Sequence, residues 1–119
     1  MNREQHVFIG IVIFAVFTLP FYYLAKIPAN IILYGGIGAV IGSIIPDILE
    51  PATSWMHRGV GHSKRALKLT GKIFAIAALL GILSFFNSMF FIFYIIASFF
   101  LGYVAHLLAD STTAVGLPE

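Results

Sequence analysis

Four apolar runs, residues 7–25, 31–45, 73–86 and 89–109, divide the chain, and long stretches of them lack a polar face on any side. Each reads as a membrane-crossing helix. The first and last approach the ~20 residues needed to cross a ~30 Å hydrocarbon core. The middle two, near 15 residues, fall short, which implies local thinning of the bilayer or a site sunk below the headgroups. The breaks between them are KIPAN at 26–30, a long polar segment at 46–72, and Asn87-Ser88. Pro20 is expected to kink the first span, and Pro28 to start the second after a tight turn. The pattern predicts an all-α, integral membrane four-helix bundle, with 1–119 forming one transmembrane helical domain. No internal repeat is evident.

Threading the chain through four crossings brings the N-terminus, the 46–72 segment and the C-terminus to one face of the membrane. Arg3, Arg58, Lys64, Arg65, Lys68 and Lys72 lie on that face, against Lys26 alone on the other. The positive-inside rule makes the crowded face cytoplasmic, and the protein a multi-pass protein of the cytoplasmic membrane. Composition agrees: 60% of residues are hydrophobic and 10% charged, with a mean hydropathy of +0.97. The first run could pass for a signal peptide, but it ends in PFYYLAK without small residues at both cleavage positions, so it is read as a helix. A net charge of +2 does not point to nucleic acid, and none is expected as a partner. Gly38 and Gly42 form a GxxxG pair suited to close helix packing, against an internal neighbour in preference to a second copy, although a homo-oligomer stays open.

Polar side chains gather on the crowded face. The absence of cysteine means that any metal is held by nitrogen and oxygen. His106 and Asp110 stand four residues apart on the last span, so they share a helix face, and Tyr94, Ser98 and Gly102 continue that face as a small or polar stripe. Such a pair serves either as metal ligands or as a hydrogen bond sealing a helix end. Asp47 follows Pro46 where the second helix meets the same face, a costly position for a carboxylate unless it is paired or functional. His6 sits at the mouth of the first helix, and HRGVGHSKR at 57–65 adds His57 and His62. Together these residues form the pattern of a histidine and carboxylate metal site, zinc first, with manganese or iron accepting the same ligands. Arg58, Lys64 and Arg65 offer charge to an anionic group such as phosphate. For Lys68 and Lys72, anchoring to lipid headgroups is the better account.

PDILEPATSWMHRGVGHS at 46–63 and HLLADSTTAVGLP at 106–118 resemble the small membrane proteins known as LexA-binding, inner membrane-associated hydrolases, also described as membrane-bound metal-dependent hydrolases. The resemblance runs from His6 to Pro118. That family often has a second aspartate two places after the first, where this chain has Leu49, with Glu50 next. The order of histidine, aspartate, histidine and HxxxD is also similar, more faintly, to zinc-dependent phospholipase C and P1 nuclease. That likeness implies one ion among Asp47, His62, His106 and Asp110, and a second held by His6 and the other oxygen of Asp110. A further pair of histidines and a glutamate in those enzymes have no counterpart here, so a three-metal site is not expected.

The sequence thus predicts a membrane-embedded hydrolase with one or two divalent ions, acting on a phosphoester in a lipid or lipid-linked substrate. Membrane lipids are the expected surroundings. Asp47 would serve as ligand and base and Arg58 as the substrate-phosphate contact. His57 is a ligand, a proton donor to the leaving group, or a partner orienting Asp47 or Asp110. The alternative is a non-catalytic membrane protein whose metal staples the 46–72 segment to the helix ends. An ion carrier ranks last, because the far halves of the spans offer only residues such as Thr18, Tyr34 and Ser84.

Overall fold

A computed structural model describes residues 3–49, 60–85 and 87–112. Four helices follow one another: α1 (Arg3–Ala25), α2 (Ala29–Leu49), α3 (Lys64–Leu83) and α4 (Met89–Ser111), with a short 3₁₀ turn at Val60–His62 before α3. At 1.5 Å per residue each is roughly 30 to 35 Å long, and all four are long and apolar enough to cross a membrane. This is a multi-pass four-helix bundle.

The two middle helices are not short. α2 has 21 residues and α3 has 20, so the thinning expected from runs of about 15 does not follow. The reason is local. Ser63 caps α3, its hydroxyl accepting from the Ala66 N–H at 3.0 Å, so the helix begins well before the apolar run at residue 73. In this first part Ala66 and Leu67 pack inward against Tyr103 and Leu107, while Lys64, Arg65, Lys68 and Lys72 point outward, an amphipathic pattern that hydropathy alone reads as loop. α2 in turn runs through Pro46, which near a helix end forfeits a single bond, the one to the Gly42 carbonyl. Pro20 likewise lies inside α1 without ending it. At the far end Lys26 takes a positive φ of 52°, the left-handed residue that stops α1, and Pro28 accepts from the N–H groups of Ile31 and Ile32 as α2 begins.

α4 is the centre of the bundle and packs on each of the other three helices. Its closest neighbour is α2. A methyl group at Gly42 would collide with the Phe99 carbonyl, and one at Gly102 with the Ala39 carbonyl, so the two backbones meet at glycine from both sides. The glycine face of α2 is therefore taken up by α4 of the same chain. Burial is inverted relative to a soluble protein. Phe8, Val16, Tyr23, Leu24 and Leu83 are exposed to the surroundings, while His6, Ser43, His62, Ser98, His106 and Asp110 are buried. In the half away from those polar groups, Thr18 and Tyr94 share a 2.7 Å hydrogen bond, and the rings of Phe14, Phe17, Phe21 and Phe90 surround Tyr94.

Candidate metal centre

Three of the helices and the 3₁₀ turn carry polar residues to the same end of the bundle, each for a geometric reason. On α1, His6, Gly10, Phe14 and Thr18 recur every fourth residue and form the buried face. On α4 the same spacing buries Tyr94, Ser98, Gly102, His106 and Asp110, the stripe legible in the sequence. α2 delivers Asp47 just past its glycine face. His62 enters from the 3₁₀ turn, which Tyr103 holds in place by donating its hydroxyl proton to the Gly61 carbonyl at 2.8 Å.

The side chains converge. His62 Nε2 lies 3.1 Å from Asp47 Oδ1, 3.3 Å from His106 Nε2 and 3.9 Å from Asp110 Oδ2. His106 Nε2 is also 3.5 Å from Asp47 Oδ1 and 3.2 Å from Asp110 Oδ2. His6 takes the other oxygen of the same carboxylate, with Nε2 3.1 Å from Asp110 Oδ1, and its ring stacks on that of His106 with centroids 3.5 Å apart. The other nitrogen of His6, Nδ1, makes no hydrogen bond with a described residue, although the side chain is only 1% exposed. Burial of the set is nearly complete except at one point: the side chain of Asp47 is 20% accessible, against 0–3% for the other four.

His106 is fixed from behind. Its Nδ1 is 2.6 Å from the Ser43 carbonyl, so Nδ1 carries the proton and donates, which leaves the Nε2 lone pair directed at the cluster. Ser43 lies in the turn of α2 that Pro46 deprives of a bond, on the strip where α2 and α4 touch. Neither Ser43 nor Tyr103 was singled out from the sequence. The available signals were faint: Ser43 is one helical turn before Asp47, and Tyr103 is three residues before His106.

The model of the YdjM inner membrane protein family matches residues 1–118, nearly the whole chain. The chain belongs to that family. No curated protein and no solved structure matches it. For this YdjM-family chain, membership establishes a membrane protein and leaves its chemistry to be read from the site.

Of the residues picked out in the sequence, His6, Asp47, His62, His106 and Asp110 are brought together. His57, Arg58 and Glu50 lie outside the described residues. Lys64, Arg65, Lys68 and Lys72 sit on the exposed side of α3, close in sequence to His62 but not among the convergent atoms. Whether the five could hold a metal is a question of edge lengths. Atoms bonded to one zinc-sized ion at ~2.0–2.2 Å stand roughly 3.3 to 3.6 Å apart at tetrahedral angles. The five separations given above among Asp47, His62, His106 and Asp110 run from 3.1 to 3.9 Å and bracket that range. The donor set, two imidazoles and two carboxylates, suits a borderline divalent cation.

Proposed function

We propose that this chain is a metal-dependent hydrolase embedded in the cytoplasmic membrane, cleaving a phosphoester in a lipid or lipid-linked substrate at the cytoplasmic face. Asp47, His62, His106 and Asp110 would hold one divalent ion, zinc first and manganese or iron next. His6 with Asp110 Oδ1 is the edge on which a second would sit. The observation that carries this reading is the convergence itself: buried Nε2 atoms of His62 and His106 and carboxylate oxygens of Asp47 and Asp110 stand 3.1 to 3.9 Å apart, with His6 Nε2 3.1 Å from the other oxygen of Asp110. The cytoplasmic placement is supported by the basic residues: among the described ones, Arg3, Lys64, Arg65, Lys68 and Lys72 lie toward this end of the bundle and Lys26 lies at the other.

A bound divalent ion supplies Lewis acidity toward phosphoryl oxygens and acidifies water. The chain supplies the rest. Asp47 is the most accessible of the five and can accept the proton of an attacking water as the ester P–O bond breaks and the departing oxygen takes up a proton. His57 as that proton donor and Arg58 as the phosphate contact are proposed on sequence alone. The test is metal analysis of the purified protein together with turnover on a panel of phospholipids and phosphodiesters. Stoichiometric metal without turnover on any of them would remove the hydrolase reading and leave the metal.

A second reading has its own support. Four protein donors at tetrahedral spacing can saturate a zinc ion, and saturated sites are structural. In that case the ion ties the turn at Val60–His62 to α2 and α4 and does no chemistry. X-ray absorption on the metal-loaded protein separates the two: a solvent ligand on the ion favours the hydrolase, and four protein ligands with none favour the staple.

A further inference from the structure

A cavity of about 550 Å³ lies between α3 and α4, lined by Leu49, Gly61, Arg65, Leu69, Ile73, Phe100 and neighbouring residues. Its size is that of a small-molecule site, and its composition follows the usual rule of an apolar wall with a few polar groups. Among the described residues its one charged lining group, Arg65, is at one end, and the Thr70 hydroxyl donates to the Ala66 carbonyl at 2.7 Å. Arg65 makes no ion pair with a described residue, whereas Leu69, Ile73 and Phe100 line the other end. From Arg65 to Ile73 the wall descends two helical turns, roughly 12 Å, into what the four crossings make hydrocarbon. Leu69 is 59% exposed, so the wall is open to the bilayer.

The cavity also borders the metal centre. Leu49 follows Asp47 by two residues, Gly61 precedes His62, and Tyr103, another lining residue, stands three before His106 on α4. A second groove of about 450 Å³, between α1 and α2, is lined by Ile11, Phe14, Ile37 and other apolar or glycine residues, with no charged side chain. Lipid would cover that groove without selection. Of the two, the α3/α4 cavity joins an apolar slot to a guanidinium that has no ion pair among the described residues.

We propose that the α3/α4 cavity binds an anionic phospholipid, its acyl chain along Leu69, Ile73 and Phe100 and its phosphate on Arg65, at the threshold of the metal centre. A guanidinium grips two phosphate oxygens at once, which a choline-capped headgroup satisfies less well than an exposed phosphate. Substrate thus enters sideways from the bilayer, with Arg65 selecting it. The binding claim stands on the cavity alone; only the fate of the bound lipid rests on the hydrolase reading.

The experiment is a binding titration. The purified full-length protein, in detergent, is mixed with dioleoyl phosphatidic acid or dioleoyl phosphatidylcholine, and retained lipid is counted by native mass spectrometry. One phosphatidic acid should bind at least tenfold more tightly than phosphatidylcholine. Arg65→Gln should abolish that preference and Lys72→Gln keep it. A phosphatidic acid carrying a diazirine in its acyl chain should cross-link to Leu69, Ile73 and Phe100, not to Ile11 and Ile37. Equal loss in Arg65→Gln and Lys72→Gln would mean general attraction to headgroups and would overturn the proposal, as would cross-links confined to the α1/α2 groove. Because the titration reads no turnover, it fails separately from the hydrolase reading: the preference without turnover on the phosphoester panel supports the cavity and removes the hydrolase. Turnover without the preference does the reverse.

Discussion

His6 and His106 lie face to face, their ring planes within 13° of each other, although one belongs to the first turns of α1 and the other to the last turns of α4. The stack positions His6 at the outer oxygen of Asp110, while His106 and His62 approach the inner one. Asp110 thus has two separate faces.

That division predicts unequal losses. His106→Ala and Asp110→Ala each remove a donor from the four-atom set, and each should lower bound metal, measured by inductively coupled plasma mass spectrometry, to under about a tenth of the wild-type content, by analogy with the cost of disturbing metal ligation. His6→Ala leaves the four donors intact and should keep the larger part of the metal. His57→Ala should lose less than His106→Ala. Metal loss in His6→Ala as deep as in His106→Ala would make His6 an equal ligand of the first ion.

The glycines of α2 are not equivalent. A methyl at Gly38 would meet the Ile95 carbonyl at 3.6 Å, an ordinary contact, whereas one at Gly42 would strike the Phe99 carbonyl, which cannot give way without moving α4. Gly38→Ala should be near neutral in thermal unfolding in detergent. Gly42→Ala should cost about 1 to 3 kcal/mol, the usual penalty of overpacking, and should lower metal content as well because Ser43 and His106 move with it. Similar melting temperatures for the two variants would show that α2 and α4 do not meet as closely as described.

Thr18→Val removes the hydroxyl that pairs with Tyr94 but keeps the shape. Hydrogen bonds between membrane helices are worth about 0.6 kcal/mol on average and at most about 1.7, so the melting temperature should fall slightly and the metal content should not change. A loss of metal in this variant would mean that the aromatic half of the bundle and the histidine–aspartate end are coupled.

Some of this arrangement is legible in the sequence, and the reasons are specific. Four crossings can be read because hydrocarbon demands apolar residues along each span, and HxxxD can be read because a helix repeats its faces every fourth residue. The start of α3 is hidden: KRALKLTGK is too polar on average to resemble a span, and the cap at Ser63 with the inward face of Ala66 and Leu67 decides it instead. The Ser43 carbonyl is hidden for another reason. Every residue has a carbonyl, and only the approach of α4 at Gly42 and Gly102 selects this one for His106. The stack of His6 on His106 likewise depends on α1 and α4 being neighbours, which no spacing within either helix reveals.

Asp47 is where ligand and base can be told apart. Its carboxylate is near both His62 and His106, yet its side chain keeps an accessible fifth of its surface when the other members of the cluster have almost none. Asparagine retains the shape and one coordinating oxygen but cannot accept a proton at neutral pH. If Asp47 takes the proton of the attacking water, Asp47→Asn should hold most of its metal while turnover falls by about 10² to 10⁴, the range for losing a general base. Turnover is measured on whichever phosphoester the panel identifies, and metal on the same preparation. Activity lost in proportion to metal would assign Asp47 to ligation alone, and the proton would then have to leave through a group in the stretch between α2 and the turn at Val60–His62, where His57 is the candidate.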